Sequence, residues 1–417
     1  TDTLSATGLS VALNAGEKSV RVFDALNVTG IDVMTAAALV DAGNVARTYA
    51  FDDANILDDA NILDVASIKI SGLTKVKAGS SDADIVNGIG EWTMLGSNNS
   101  AHNNGIDFED IEFANSAFTT LKGSAVADIV DVLAANSVKA WDITFNVTGG
   151  NDFTQVDLGN HVDSDGKFIL DEVTGLSGED WIDITESKGA TNAGIKFTDL
   201  DIAKTDAVTL TATAGNDNFT DVSRNSVTFS GIKFTTSASD FTNVVGAGGE
   251  DTLTAAGTNV TLIADGSNDV MLENTRFENL FSVAGADITG TNSVESFTLS
   301  TTDDNALKVN GINFTNVGKI DGQGGNDTVL DGDAWTLGWD NATATAESRG
   351  VEFKNIYSAD GISSVLTGSV DADSFSLEGN TVIGNGIRFT VADGASKFTV
   401  VNAGGDTFDE LDAKGGT

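Results

Sequence analysis

Short alternating runs of apolar and polar residues recur along this chain and predict short β-strands. The commonest run is Gly, an aliphatic residue, a polar residue and Phe, at 105–108, 194–197, 231–234, 311–314, 350–353 and 386–389. The aliphatic residue and Phe stand two positions apart, so both side chains face the same side of a strand. Several copies then continue to Asn or Asp, as in Phe314-Thr315-Asn316-Val317, and such residues are typical of turns. We therefore predict strands that end at sharp corners.

These runs belong to a longer repeat. An acid, a polar residue and Phe recur at 217–219, 295–297 and 373–375, so the three copies stand 78 residues apart. Between them lies a second signal, Gly-Gly-x-Asp-Thr-aliphatic, at 248–253 and 324–329, with a shortened copy at 404–408. Self-similarity at a fixed period is typical of repeat architectures.

We interpret this repeat as an all-β fold, a parallel β-solenoid (β-helix) built from double repeats of about 78 residues. Stacked coils bury their apolar faces and hide every strand edge except those at the two ends. The alternative is a string of immunoglobulin-like β-sandwiches, which use longer strands and often Pro-containing linkers. The chain has no Pro, which fits uninterrupted ladders because Pro lacks the N–H donor.

The repeat is not equally regular throughout. Residues 1–79 form a divergent N-terminal section, and residues 80–417 form the repetitive solenoid. Residues 33–40, with their run of Ala, predict one short helix, and a six-residue echo links 53–58 with 59–64. Both ends resemble the interior of a repeat, so we expect the chain to be cut from a longer array.

Composition narrows the choice of partners. The chain has 22 basic and 62 acidic residues, a formal net charge of −40, and this charge repels nucleic acids and anionic membranes. The chain has no Cys, which excludes disulfides and thiolate sites, and it has no apolar run long enough to insert into a membrane. The remaining partners are another copy of the chain, a glycan or protein at a cell surface, and divalent cations.

Catalysis is not predicted. The only two His, His102 and His161, stand in unrelated contexts, and no nucleophile elbow, phosphate loop or His-Glu-x-x-His motif occurs. Asp and Glu are so frequent that any pair could be chosen as the acid and base of a glycosidase, so such a pair is no evidence for this activity. A polysaccharide-acting β-helix enzyme ranks third among the possible functions. The active sites of such enzymes need basic residues beside a carboxylate, and basic residues are sparse in this chain.

Two segments suggest calcium. The run from Gly246 to Leu253 resembles the glycine- and aspartate-rich (RTX-type) calcium repeat of exported bacterial toxins and adhesins, and this resemblance implies metal sites at Asp251 and Asp327. Separately, Asp163, Asp165 and Glu172 fall where a twelve-residue calcium loop places ligands, but position one is His161 rather than Asp, so a Gly-Lys hairpin turn is the favoured interpretation. We therefore expect either no cofactor or calcium.

The five Trp residues raise the question of ligand contact. Trp181 and Trp335 stand in alternating runs, which favours packing in the core. Trp339, beside Gly338, is the candidate for an exposed platform that contacts a glycan.

The combined pattern over residues 80–417 resembles giant bacterial haemagglutinin-like surface proteins with β-strand repeats. This resemblance implies secretion to the bacterial cell surface, a solenoid stalk and a role in attachment. We therefore expect a non-catalytic structural stalk, or a filament-forming, adhesive region of such a protein. A surface-layer or calcium-stabilised module is the alternative.

Overall fold

The alternating runs form strands that stack in parallel, and the predicted β-solenoid is confirmed, with about ten turns. The alternative of separate β-sandwiches is therefore wrong. The structure is a computed structural model. It describes residues 3–13, 19–22, 26–29, 33–41, 46–51, 63–65, 68–79, 83–97, 99–159, 161–162, 168–178, 181–185, 188–206, 208–236, 240–265, 267–361, 365–391, 398–405 and 410–412. Within these ranges there is no helix, and hence none that is long and apolar enough to cross a membrane.

Contacts between residues divide the chain into two units. Unit 1 contains Thr1–Ala207 and Ser230–Ser237, and unit 2 contains Val208–Phe229 and Ala238–Thr417. The boundary predicted between residues 79 and 80 falls inside unit 1, and the divergent character of residues 1–79 stays a prediction.

All regular elements in the described part of each unit are strands. In unit 1 they are β1 (Thr3–Leu13), β2 (Ser19–Val22), β3 (Leu26–Thr29), β4 (Val33–Asp41), β5 (Thr48–Phe51), β6 (Leu63–Val65), β7 (Ile68–Ser71), β8 (Lys75–Lys77), β9 (Ile85–Asn87), β10 (Trp92–Met94), β11 (Ser100–Asn103), β12 (Ile106–Glu109), β13 (Phe113–Ser116), β14 (Thr120–Lys122), β15 (Ile129–Ala134), β16 (Ser137–Ala140), β17 (Ile143–Val147), β18 (Gln155–Asp157), β19 (His161–Val162), β20 (Phe168–Ile169), β21 (Glu172–Thr174), β22 (Ile182–Thr185), β23 (Gly189–Asn192), β24 (Ile195–Thr198), β25 (Ile202–Thr205) and β29 (Ile232–Thr236). In unit 2 they are β26 (Thr209–Thr211), β27 (Asn218–Ser223), β28 (Ser226–Phe229), β30 (Asn243–Val245), β31 (Thr252–Thr254), β32 (Val260–Leu262), β33 (Val270–Leu272), β34 (Thr275–Glu278), β35 (Ser282–Ala284), β36 (Ile288–Thr289), β37 (Ser296–Leu299), β38 (Leu307–Val309), β39 (Ile312–Thr315), β40 (Lys319–Asp321), β41 (Thr328–Gly332), β42 (Trp335–Asp340), β43 (Thr343–Ser348), β44 (Val351–Lys354), β45 (Ser358–Gly361), β46 (Val365–Thr367), β47 (Ser374–Glu378), β48 (Thr381–Gly384), β49 (Ile387–Val391), β50 (Val400–Asn402) and β51 (Glu410–Asp412).

Unit 2 consists of two sheets between which the chain alternates. The first sheet runs β27-β31-β35-β39-β38-β37-β41-β45-β49-β48-β47-β51. The second runs β26-β30-β34-β33-β32-β36-β40-β44-β43-β42-β46-β50. Most neighbours are parallel, and each parallel run ends at a three-stranded antiparallel meander.

The meanders explain the 78-residue period. They alternate between the two sheets of unit 2, so β32–β34 and β42–β44 lie in the second sheet and β37–β39 and β47–β49 lie in the first. A meander therefore returns to the same sheet only after two repeats, and Ser296 and Ser374 at the starts of β37 and β47 are 78 residues apart. Unit 1 is built in the same way, with a sheet β5-β9-β13-β17-β16-β15-β21-β25-β29 and a sheet β8-β12-β11-β10-β14-β18-β24-β23-β22.

The turns of the meanders confirm the predicted role of Gly, Asn and Asp. Between β38 and β39, Asn310 has φ 49° and Gly311 has φ 84°, so both residues of this two-residue hairpin turn are left-handed. After the strand, Asn316 has φ 56° and ends the alternation, as expected from the sequence. Asn tolerates this conformation better than most residues because its side chain can hydrogen-bond locally.

The core of each coil lies between the two sheets and consists of the predicted Ile and Phe side chains. Ile312 and Phe314 of β39 are buried, with 0% and 1% of their surface exposed. Aromatic rings of neighbouring coils stack edge to face or tilted, and the ring centre of Phe353 lies 6.0 Å from that of Trp335 and 6.3 Å from that of Phe297. Burial of one such ring contributes about 1.5–3 kcal/mol to the free energy of folding.

The predicted helix at residues 33–40 is wrong, because these residues form strand β4. Its N-terminal part pairs in parallel with β1 and β7 and its C-terminal part with β1 and β8, and Met34, Ala36 and Leu39 are buried. Pairing with neighbouring strands outweighs the helix propensity of Ala. Most of the echo at 53–64 lies outside the described residues, and only its last two residues belong to a described strand, β6.

Candidate functional site

The strands that flank the calcium-loop candidate around residue 165 pair with each other. Asp163 and Asp165 lie outside the described residues, but β19 and β20 on either side of them pair antiparallel, with His161 opposite Ile169. This pairing agrees with the hairpin considered from the sequence, whose turn lies outside the described residues. The third candidate ligand, Glu172, forms an ion pair with Lys204 of the neighbouring strand β25, with 2.5 Å between Oε1 and Nζ.

The other two calcium candidates, Asp251 and Asp327, are buried rather than solvated at turns. Each directly precedes a strand, β31 and β41, and each is 0% exposed. They belong to a set of acids with 0–8% exposure that directly precede strands of one sheet in each unit. We call this set the corner acids: Asp84, Asp128, Asp171 and Asp201 in unit 1, and Asp217, Asp251, Glu295, Asp327 and Asp373 in unit 2.

Corner acids of neighbouring strands are joined by hydrogen bonds between backbone and side chain. In unit 2, the backbone N–H of Asp217 donates to Oδ1 of Asp251 across 2.9 Å. The N–H of Glu295 donates to Oδ1 of Asp327 across 2.8 Å. The same bond occurs in unit 1, between Asp128 and Asp171 at 2.8 Å and between Asp171 and Asp201 at 3.0 Å. Each of these carboxyl groups therefore ties its own coil to the neighbouring one.

A corner acid can also close its own loop. One carboxylate oxygen of Asp217 accepts from the backbone N–H and the hydroxyl of Thr213, at 2.9 and 2.7 Å. Asp128 uses both oxygens: Oδ2 accepts from the backbone N–H of Ser124 and Oδ1 from its hydroxyl, with 2.8 Å for both bonds. The carboxylate thus fixes the corner that leads into the strand, as Asx-type contacts do in turns.

This loop has a sequence signature that our reading of the sequence missed. Gly stands five residues before the corner acid at 79/84, 123/128, 246/251, 290/295, 322/327 and 368/373. A Cβ added to Gly322 would lie 2.6 Å from Oδ2 of Asp327, and one added to Gly246 would lie 2.3 Å from Oδ2 of Asp251. At these positions the carboxyl group packs against the backbone of Gly, whereas Asp217 has Ala212 and Asp201 has Lys196 at the same spacing. The repeated five-residue spacing could have singled out these acids from the sequence, but not their burial.

Burial leaves some of these carboxyl oxygens without hydrogen-bond partners. Within the described residues, Oδ2 of Asp251, Oδ2 of Asp327 and Oε2 of Glu295 have none. Burial raises the pKa of Asp327 to about 7, and the neighbouring charge of Glu295 adds to this effect. Burial likewise raises the pKa of Asp251, with a contribution from the charge of Asp217. These carboxyl groups are therefore suited to hold a proton.

The resemblance to the calcium repeat implies a calcium ion, and these carboxyl oxygens are its candidate ligands. Calcium usually takes six to eight oxygen ligands. Glu295 and Asp327 offer two carboxyl groups, and Gly322 is packed against Oδ2 of Asp327. No group of three or more metal-ligating side chains converges anywhere in the described part of the chain. This donor set does not fit calcium as it stands, so we derive no mechanism through the metal, and calcium at Asp251 and Asp327 stays a prediction.

The Trp residues fall into a buried group and an exposed one, and Trp181, Trp335 and Trp339 lie where the sequence suggested. Trp92, Trp181 and Trp335 are buried in the core, with 3%, 2% and 0% exposure. Trp141 is half-buried and its Nε1–H donates to Oδ1 of Asp128 at 2.8 Å. Trp339 is 41% exposed and lines an open cleft of about 450 Å³ with Ala372, Asp373, Ser374, Asn385, Gly386 and Glu410.

Comparisons with known proteins give no relative for this fold and these sites. No protein-family model, no curated protein and no solved structure matched the chain.

Proposed function

We propose that this chain is a structural stalk, or a filament-forming, adhesive region, of an exported bacterial cell-surface protein and that it does not catalyse a reaction. The observation that carries the proposal is the use of the corner acids. Carboxyl groups that could act as acids or bases instead accept backbone N–H groups of the neighbouring coil, as Asp327 does from Glu295. Side chains that could act in catalysis thus join neighbouring coils.

Side chains on the outer surface of the sheets support the same function. In unit 1, Nδ2 of Asn115 donates to Oδ1 of Asn87 at 3.1 Å, and Nδ2 of Asn146 donates to Oδ1 of Asn115 at 3.0 Å. These three residues lie in the parallel neighbours β9, β13 and β17. Stacked Asn side chains of this kind extend the backbone ladder along the solenoid axis.

Ion pairs between coils follow the same principle. In unit 2, Lys319 pairs with Glu352 at 3.0 Å, and Lys354 pairs with Asp321 at 3.1 Å. Each pair joins directly opposite residues of β40 and β44. Opposite charges at facing positions favour one register over a slipped one. A repetitive chain needs such a device, because its coils resemble one another.

Export and the bacterial surface rest on the resemblance stated from the sequence and on the charge of −40, which keeps separate copies soluble. A calcium-stabilised or surface-layer module is the second candidate, and it rests on the resemblance of residues 246–253 to the calcium repeat.

Electron microscopy of the purified chain, with and without a calcium chelator, tests both candidates. The stalk proposal expects elongated particles or end-to-end filaments, with a melting temperature that the chelator does not change. Compact particles under both conditions would overturn it. A melting temperature that falls on chelation in the natural sequence, but not in Asp327→Asn, would give first place to the calcium-stabilised module.

An activity assay tests the non-catalytic part of the proposal. The chain is incubated with neutral and uronate-containing polysaccharides, and new reducing ends and unsaturated uronates are measured. The proposal expects neither product above a heat-denatured control. Turnover that scales with protein concentration would overturn this part and restore the polysaccharide-acting enzyme.

A further inference from the structure

The hairpin β42–β43 in unit 2 is longer than the strands beside it. The parallel pairing of β42 with β46 ends where Thr336 lies opposite Thr367. The antiparallel pairing of β42 with β43 continues to Asp340 opposite Thr343. The outer part of this hairpin therefore extends beyond the C-terminal end of the neighbouring strand β46.

Trp339 lies on the extended part of the hairpin. Trp335, Leu337 and Trp339 alternate along β42, so their side chains share one side of the strand. Trp335 and Leu337 are buried, with 0% and 2% exposure, whereas Trp339 is 41% exposed. The row of core residues thus continues past the end of the core and places an indole ring against an open cleft.

Polar groups form the rest of the cleft, whose volume is about 450 Å³. Nδ2 of Asn385 donates to Oδ1 of Asp373 at 2.6 Å, and Oδ1 of Asn385 accepts from the N–H of Ser374 at 2.8 Å. These bonds hold one wall of the cleft rigid. Ser374 and Glu410 are exposed at its rim.

Gly386 leaves open space beside this wall. A Cβ added there would meet no atom of the described part of the chain within 4 Å. The cleft therefore combines an aromatic face, a flat glycine surface and a few hydrogen-bonding groups, which is the composition of a small-molecule binding site.

We propose that this cleft binds a neutral hexopyranose unit of a polysaccharide. The apolar C–H face of a pyranose ring matches the flat indole of Trp339, and its hydroxyl groups match the carboxylate of Glu410 and the hydroxyl of Ser374. The described residues that line the cleft include two acids and no Lys or Arg, so they disfavour anionic sugars. The proposal rests on the adhesive part of the function proposed above and names its ligand class.

Binding of defined oligosaccharides to the full chain tests this proposal. The probes are cellohexaose, maltohexaose and mannohexaose as neutral chains and an alginate hexamer as the anionic comparison, measured by calorimetry and saturation-transfer NMR. We expect saturable binding of at least one neutral probe and weaker binding of alginate. Trp339→Ala should weaken that binding by about tenfold or more, which equals about 1.4 kcal/mol, and Trp339→Phe should weaken it less.

Tyr357→Ala is the matched control, because Tyr357 is 47% exposed but does not line the cleft. It should bind the neutral probe like the natural sequence, and the melting temperatures of both alanine variants should confirm that they fold. Three results would overturn the proposal: no neutral probe binds, Trp339→Ala binds as well as Tyr357→Ala, or alginate binds more tightly. Electron microscopy tests the stalk separately, so filaments without sugar binding would remove this proposal alone.

Discussion

The backbone N–H of Glu295 donates to Oδ1 of Asp327 across 2.8 Å, which places two carboxyl groups of neighbouring strands side by side in a buried corner. In the part of the chain that the structure describes, Oε2 of Glu295 and Oδ2 of Asp327 have no hydrogen-bond partner. Burial and the neighbouring charge of Glu295 both raise the pKa of Asp327. The buried corner therefore favours the protonated form of Asp327, and this protonation affects cohesion between coils.

The first prediction is that the folded state loses stability as pH rises from about 5 to about 8. The pKa of Asp327 is raised from 3.8 to about 7 in the folded protein, so between these values the folded state binds more protons than the unfolded state. Stability then falls with increasing pH, and Asp327 alone accounts for about 2–3 kcal/mol over this range. The raised pKa values of Asp251 and Asp360 act in the same direction.

Guanidinium unfolding at several pH values, followed by circular dichroism, measures this dependence. Carboxyl groups with lowered pKa, such as Asp321, act in the opposite direction, but their effect is complete at lower pH. A fixed and high salt concentration limits the effect of the overall negative charge. A free energy of unfolding that stays constant or rises over this pH range would contradict the prediction.

The second prediction tests the contribution of the Glu295–Asp327 pair by itself. Asp327→Asn keeps the shape of the side chain and removes its charge, so its amide can donate to Glu295 while Oδ1 still accepts from the N–H of Glu295. We expect this variant to be more stable than the natural sequence at about pH 8, by about 1–3 kcal/mol, and to show a flatter pH profile.

Asp333→Asn is the matched control, because Asp333 is an exposed acid of the same coil region. It should change the free energy of unfolding little at either pH. If Asp327→Asn destabilises the protein at the higher pH while Asp333→Asn does not, the pair does not carry the repulsion that we infer.

The repeat and the core could be predicted from the sequence because they depend on local patterns. Ile312 and Phe314 alternate with polar residues, and their burial follows from strand geometry. The meanders were missed although Asn310-Gly311 is a strong hairpin signal, because Gly311 was read only as the residue before a strand.

The buried acids could not be predicted by the same reasoning. Asp, as a residue type, is almost never fully buried unless it has a partner. The partner of Asp327 is the backbone of Glu295, 32 residues earlier in the chain, and this contact exists only when the coils are stacked. The run of Ala at residues 36–38 was misread as helical for a similar reason, because its partners lie in β1, β7 and β8.

The third prediction concerns the close approach of Gly322 to Asp327. In Gly322→Ala the new Cβ would lie 2.6 Å from Oδ2 of Asp327 and 2.7 Å from the carbonyl oxygen of Asn355. Because the second contact is with backbone, the loop must shift, and we expect a loss of about 1–3 kcal/mol in the free energy of unfolding. Gly405→Ala is the control, since an added Cβ there meets none of the described residues within 4 Å.

Calorimetry of both glycine variants, with hydrogen exchange of the Glu295 amide, measures the effect. The exchange of this amide should become faster in Gly322→Ala, because its acceptor Asp327 is displaced. Equal melting temperatures for the two variants would show that the corner tolerates a side chain and that the five-residue spacing has another cause.

The fourth prediction concerns the Asn ladder of unit 1. Asn115 donates to Asn87 and accepts from Asn146, so Asn115→Ala removes two half-exposed hydrogen bonds between coils. We expect a loss of about 1–2 kcal/mol in the free energy of unfolding. Asn151→Ala, at an exposed turn position, should cost much less.

A double-mutant cycle separates the ladder from effects on the single strand. Asn146→Ala breaks the bond to Asn115 and the bond that Oγ of Ser137 donates to Oδ1 of Asn146, but it leaves the bond from Asn115 to Asn87. Each single variant thus removes two side-chain hydrogen bonds, of which one is shared, so the two single losses should be similar. The double variant should then be more stable than the sum of the single losses indicates, by about 0.5–1 kcal/mol, because both single variants remove the same bond. Strictly additive losses would mean that these amides act independently and that unit 1 is held together by its backbone ladders and core alone.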